Sequence, residues 1–387
     1  MIAPIALPRI LRIGGGALQE TAEVLALLGL SRPLIVTDPM MVKFGLAERL
    51  QDVLRRAGIT AAMFSDTVPE PDSDAVDRAR QAVLAGDYDC LIGLGGGSPI
   101  DTAKAVAVLA REGGEMRDYK APRQYSGPAL PVIGIPTTAG TGSEATRFTV
   151  VTDSATHEKM LCIGQSFLPV AAIADYELTL SKPPRLTADT GVDALTHAIE
   201  AYVSRRANPF SDGFALSAMR AIAGNLRRAY MDGSDRAARE ALMLGATQAG
   251  IAFSNSSVAL VHGMSRPIGA HFHVPHGLSN AMLLPVVTAY SAPAAEQRYA
   301  DCARAMGVPG AEGSDAAAVA ALLEELHRLN VDLAVPSPRA WGIDPARWAE
   351  LLPLMATQAL ASGSPANNPR VPDAEAIQVL YGQAWAG

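Results

Sequence analysis

The chain has 387 residues, 49% apolar and 5% aromatic, with a formal net charge of −7. That length accommodates two domains with a core in each, and an interior weighted to Ala, Leu and Val suits helices packed on parallel strands. The acidic balance excludes a nucleic-acid partner, because no basic excess exists to neutralise phosphates.

The N-terminus, MIAPIALPRILRIGGG, has no basic stretch before an apolar core and is broken by Pro4 and Pro8, so it does not resemble a signal peptide. ILRI (10–13) is a predicted strand, followed by a glycine turn and a helix through Leu28 with Gly29 as its stop. PLIVTD (33–38) is a second strand, then come a helix over 46–58 and the strand TAAMFSD. Residues 72–86 have helical spacing with an acidic start. CLIGLGGGSPIDTAKAVAVLA is strand, glycine turn and helix, and LPVIGIPTT (130–138) is a further buried strand. This alternation predicts parallel βαβ units.

Beyond SKPP (181–184) strand signals vanish and helical stretches follow over 187–204, 210–230, 236–252, 257–270, 280–291, 294–306, 314–329 and 345–360. A last short helix is expected at 373–384. The chain therefore divides into an α/β dinucleotide-binding domain, 1–182, with a mostly parallel sheet, and an all-helical domain, 183–387. The three cysteines, Cys90, Cys162 and Cys302, are odd in number and far apart. They give no disulfide framework and fit a reducing cytoplasm. No apolar run of about 20 residues offers a membrane span.

Two loops carry nucleotide chemistry. Gly95, Gly96 and Gly97 lie between a strand and a helix, where glycine admits a ligand close to the backbone and the helix start offers N–H groups to a phosphate. Ser98 can cap that helix or bond a phosphate, and Asp101 suits the dipole; a plain tight βα turn is the bland alternative. In IPTTAGTGSEAT, Thr137, Thr138, Thr141 and Thr146 offer hydroxyls at the end of another parallel strand, where open α/β sheets bind ligands. Asp38, ending PLIVTD, either accepts from ribose hydroxyls, favouring NAD(H) over NADP(H), or merely caps the next turn.

The second half carries metal chemistry. Asp193 and His197 in GVDALTHAIEAY share one helix face at i, i+4 spacing. His262 opens a further helical run, and His276 follows in a Pro-Gly loop that could fold back beside it. Three imidazoles and a carboxylate form a set for a first-row metal, either Fe(II) or Zn(II), acting as a Lewis acid on a substrate oxygen. Taken singly, Asp193 could cap a helix and His197 could be a core residue.

GGGSPID, PTTAGTGSEAT, GVDALTHAIEAY and VHGM…PHG together resemble the signatures of the iron-containing (group III) alcohol dehydrogenase family, in that family's order and over nearly the whole chain. The resemblance implies a dinucleotide-binding α/β domain and a helical domain, with the metal in the cleft between them. It implies Asp193, His197, His262 and His276 as metal ligands. It also implies Gly95, Gly96, Gly97, Ser98 and Asp101 as the pyrophosphate loop, Thr137, Thr138, Thr141 and Thr146 as the second cofactor loop, Asp38 as the ribose acid, and Lys159 near the ribose. The expected activity is NAD(H)-linked, metal-dependent interconversion of a small primary alcohol or hydroxy acid and its aldehyde, by a cytoplasmic homo-oligomer. Glycerol dehydrogenase-like, maleylacetate reductase-like and dehydroquinate synthase-like chemistry stand as alternatives on the same fold, and a nucleotide-binding protein without catalysis as one of another class. One departure stands out. Many members have a histidine four residues after the third ligand, assigned to proton relay, whereas here the position is Arg266, which stays protonated. His273, or else His271, is the expected substitute, with solvent and cofactor hydroxyls as the other route, and Arg266 is expected either to pair with an anionic substrate group or to cap or pair with a nearby Asp or Glu.

Overall fold

A computed structural model describes residues 2–386. One compact unit spans Pro4–Ser181 and a second begins at Lys182. The first holds eight strands: β1 (Ile10–Ile13), β2 (Pro33–Val36), β3 (Ala62–Phe64), β4 (Cys90–Gly95), β5 (Val132–Pro136), β6 (Phe148–Thr152), β7 (Lys159–Ile163) and β8 (Ala171–Ala174). Six of them form one sheet in the order β1-β8-β5-β4-β2-β3, every neighbour parallel. The expected parallel α/β sheet is thus present.

Strand periodicity explains its two cores. Leu34, Val36 and Leu91 point into one buried cluster, while Ile35, Cys90, Ile92 and Leu94 point into another. Gly93 lies on the face that receives the helix Gly97–Glu112, where a Cβ would come within 2.9 Å of the Ile100 Cα. Its bare backbone lets that helix lie directly on β4. From β2 the chain moves outward to β3, then crosses back to β4 and continues to β5. The direction therefore reverses between β2 and β4, and the C-terminal ends of strands flanking such a reversal form the ligand crevice of open α/β sheets. Those ends are Asp38 and the Gly95–Gly97 turn.

The sequence reading did not foresee the antiparallel hairpin β6/β7, which pairs Thr149 with Cys162 and Val151 with Met160. The strand expected over TAAMFSD shrinks to β3.

No strand follows β8 among the described residues. The helix expected over 210–230 is two, Pro209–Ala223 and Leu226–Met231. Between them Asn225 turns its Nδ2 back to the Ala221 carbonyl at 2.9 Å, competing with the backbone for that acceptor. The helix expected over 280–291 starts earlier, as His276–Ser291, so His276 sits in a first helical turn and not in a loop. Pro275 stands at its N-cap with φ −53°, and Ser279 N–H closes on the Pro275 carbonyl at 2.9 Å. Among the described residues no helix is long and apolar enough to cross a membrane.

Candidate functional site

The metal-type cluster is built on three helices of the second unit: Pro184–Val203, Leu260–Phe272 and His276–Ser291. Glycine brings the first and third together. A Cβ at Gly277 would lie 2.2 Å from the Asp189 carbonyl oxygen and 3.3 Å from the Asp193 Cβ. The start of the third helix can therefore press onto the first and present His276 to Asp193. His262 Nε2 is 3.5 Å from Asp193 Oδ1 and His276 Nε2 is 3.7 Å from it, with all three donor atoms within 4.8 Å of one another. His197 adjoins this trio, its Nδ1 4.0 Å from Asp193 Oδ2 and its ring stacked between His262 and Phe253, each 4.3 Å away. Asp193, His197 and His262 are buried and His276 is half-buried.

Three residues of this site were not picked out from the sequence. Glu200 accepts from the Val261 N–H at 2.6 Å through one oxygen and meets His262 Nδ1 at 2.6 Å through the other. With Nδ1–H donated to Glu200, His262 presents Nε2 toward Asp193, the carboxylate–histidine arrangement that orients metal ligands. Asn280 is fully buried, and its Nδ2 donates to Asp193 Oδ1 at 2.6 Å while standing 3.2 and 3.3 Å from Nε2 of His262 and His276. An amide has two hydrogens for these three acceptors, and its own Oδ1 has no hydrogen-bond partner. Gly277 is the third. The signal for Glu200 was in the sequence, at i+7 from Asp193 on the same helix face.

Burial would raise the Asp193 carboxyl, but the imidazoles of His197, His276 and His262 outweigh it and hold it well below the usual range. Burial opposes charging His262, yet Glu200 and Asp193 raise it to about 9. The negative charge of Glu200 and Asp193 thus favours a cation at His262: a proton on Nε2 when no ion is bound, which a metal ion would have to displace. Separations of 3.5–3.7 Å suit neighbouring ligands around an ion roughly 2.1 Å from each. With the orphaned Asn280 oxygen beside them, these residues fit a divalent cation.

On the other unit, the helix Gly97–Glu112 begins at N-cap Gly96 with no side-chain cap, so Ser98 does not cap it. Ser98 Oγ instead accepts from the Glu70 N–H at 3.2 Å. A Cβ at Gly97 would press to 3.0 Å from Thr141 Cγ2, and one at Gly96 would sit 3.6 Å from Thr138 Oγ1. Gly96, Gly97, Thr138 and Thr141 therefore form one cradle around uncapped N–H groups, which fits a diphosphate. Gly95 ends β4 at φ +152°, and a Cβ there would strike Pro99 at 2.5 Å. Three predicted contacts lie deeper. Thr137 is fully buried against Met41 Sδ, Thr146 is buried with its Oγ1 bonded to Lys104, and Asp101 accepts from Ser143 Oγ and the Val150 N–H. Asp38 caps the next helix, its Oδ1 accepting from Met40 and Met41 N–H. Lys159 pairs with Glu70 at 3.0 Å.

His273 is exposed at the end of its helix with φ 54°, outside the Asp193 group, and His271 Nε2 is bonded to Gln358 Oε1 at 2.8 Å. Arg266 is half-buried one turn beyond His262. No hydrogen bond or ion pair closes on it among the described residues, and it feels the charge of Glu200.

A small-residue cradle at the switch point of a parallel sheet, with a buried Asp/His cluster on a helical unit, marks a class: oxidoreductases of the alcohol dehydrogenase type. Within that class the chain belongs to the iron-containing alcohol dehydrogenase family. Residues 8–176 match the family model described as iron-containing alcohol dehydrogenase, and residues 187–385 match its C-terminal counterpart. Long-chain-alcohol dehydrogenase 1 of Geobacillus thermodenitrificans (strain NG80-2) is 41% identical over 87% of this chain and 85% of its own. A crystal structure of a 1,3-propanediol oxidoreductase superposes with a TM-score of 0.95 at 35% identity, covering 99% of this chain and 100% of that one. The sulfoacetaldehyde reductase of Bifidobacterium kashiwanohense, solved with NAD+, superposes at 0.89 with 28% identity, covering 100% and 99%.

Proposed function

We propose that this protein is an NAD(H)-linked, metal-dependent alcohol dehydrogenase or aldehyde reductase acting on small primary alcohols, diols or hydroxy acids. The observation that carries the reading is the convergence of Asp193, His262 and His276 donor atoms within 4.8 Å, backed by Glu200. A divalent ion held there, Fe(II) or alternatively Zn(II), supplies Lewis acidity toward a carbonyl or alcohol oxygen. Asp193, His262 and His276 would hold it, with His197 as the fourth ligand that the family likeness implies. Gly96, Gly97, Thr138 and Thr141 would bind the cofactor diphosphate. Asp38 supports NAD(H) over NADP(H), because a carboxylate beside the ribose repels a 2′-phosphate.

The proton released on alcohol oxidation is proposed to leave through exposed His273, since Arg266 cannot accept it. Arg266 itself suits a substrate carboxylate or sulfonate. Its guanidinium is half-buried without a hydrogen-bonded partner, and one relative's name carries an anionic aldehyde. A screen of the anaerobically Fe(II)-reconstituted protein across short alcohols, diols and hydroxy acids tests the function. NADH should form with NAD+ and much more slowly with NADP+; a fully loaded protein that turns over nothing in the panel would refute the reading. Arg266→Leu should raise KM for a hydroxy acid at least tenfold more than for a neutral alcohol of equal length, the scale of a lost charge-assisted pair. Equal changes in both would remove the anion assignment.

A further inference from the structure

Asn280 is fully buried on the helix His276–Ser291, four residues after His276 and so on the same helix face. Its Nδ2 lies 2.6 Å from Asp193 Oδ1, 3.2 Å from His262 Nε2 and 3.3 Å from His276 Nε2. One nitrogen thus meets the donor atoms that three helices bring together. The amide can face them only one way round. Turned over, its oxygen would set lone pairs against the Asp193 carboxylate, so the NH2 group is held toward Asp193 and donates to it. The other end of the amide gains nothing, since Oδ1 is buried without a hydrogen-bond partner. An unpaired buried carbonyl costs stability that an apolar side chain of the same shape would not. The position of this residue is explained by its nitrogen and not by its oxygen.

The contact also selects between the two carboxylate oxygens. Asp193 Oδ1 is the one that His262 and His276 approach, at 3.5 and 3.7 Å, whereas Oδ2 turns to His197 at 4.0 Å. A donor on Oδ1 fixes the rotation of the carboxylate and hence which oxygen joins the imidazoles. The donor is neutral as well. A lysine or arginine in its place would also donate, but its charge would compete with a divalent ion, and a carboxylate there would repel Asp193. The helix that carries Asn280 has a separate tether, Asn330 Nδ2 donating to the Ala281 carbonyl at 2.7 Å.

We propose that Asn280 is a positioning residue of the metal centre: through its hydrogen bond to Asp193 Oδ1 it sets which oxygen the carboxylate turns to an ion, and it does so without adding charge. Ligating carboxylates are commonly oriented in this way by a hydrogen-bonding neighbour, and the loss of such a neighbour loosens the ion. The proposal rests on the reading of Asp193, His262 and His276 as the metal site.

The test is Co(II) binding to the metal-stripped full-length protein by chelator competition, read with the visible absorption spectrum of the Co(II)-loaded form and with thermal melts. Wild type is compared with Asn280→Leu, which keeps the volume and loses the donor, with the smaller Asn280→Ala, and with Asn330→Leu, which removes the separate tether of the same helix. Co(II) affinity should fall roughly 10- to 100-fold in both Asn280 variants, the scale for a group that orients a ligand, and their Co(II) spectra should shift from that of wild type. Asn330→Leu should melt earlier yet keep the wild-type affinity and spectrum. A folded Asn280 variant with the affinity and spectrum of wild type would overturn the proposal. An equal loss of affinity in Asn330→Leu would overturn it too, because helix packing would then account for the effect, and so would failure of both Asn280 variants to fold. A wild type that binds no Co(II) would instead sink the metal-site reading, and this inference with it.

Discussion

Single residues decide whether the cluster is a metal site or a set of buried side chains. Glu200 is the most exacting of them, since its two oxygens are committed to the Val261 N–H and to His262 Nδ1. Glu200→Gln leaves one oxygen to serve both the Val261 N–H and His262 Nδ1 and sets an NH2 against the other, so metal affinity measured by chelator competition should fall roughly 10- to 100-fold, as for other groups that orient a ligand. Unchanged affinity would mean that His262 does not bind through Nε2. Spacing alone placed Asp193 and His197 on one helix face, and the distances bring His262 and His276 to the same carboxylate. Glu200 shares a helix face with Asp193, but neither it nor Asn280 could be singled out by spacing alone, for a physical reason. An acid or amide on an Ala-rich helix looks like a solvated face until the packing of the other helices is known, and here both are buried.

At the scale of elements, glycine sets how closely helices and strands approach. Gly277 permits the contact that carries His276 to Asp193, and a methyl there would meet the Asp189 carbonyl at 2.2 Å. Gly277→Ala should destabilise the protein by about 1–3 kcal/mol in urea unfolding, the usual scale of overpacking, and weaken metal binding in parallel. A variant with wild-type stability and affinity would show that the two helices need not touch. The parallel sheet was readable because buried βαβ strands are continuous apolar runs. The β6/β7 hairpin escaped notice because its strands alternate half-buried with buried residues, a weaker signal set among hydroxyl-rich loops. The early start of the helix at His276 was hidden by Pro275 and Gly277, which read as a loop but serve as its N-cap and its contact face.

For the whole molecule, the residues that would hold cofactor and metal belong to different units, Pro4–Ser181 and the unit starting at Lys182. Metal-free protein should therefore still bind NADH within about threefold of the loaded form, as equilibrium titration would show. Loss of NADH binding on chelation would contradict independent sites. Metal should also protect the native state, by about 2.7 kcal/mol at a hundredfold excess over Kd. The central claim, that Asp193, His262 and His276 hold the ion on which turnover depends, is tested most directly by adding Fe(II) anaerobically to metal-free protein and following NADH formation from a diol. The rate should rise in proportion to bound ion, saturate at a single ion per chain, and vanish together with tight ion binding in Asp193→Asn and His276→Ala. Full turnover by ion-free protein, or undiminished ion binding in both variants, would contradict it.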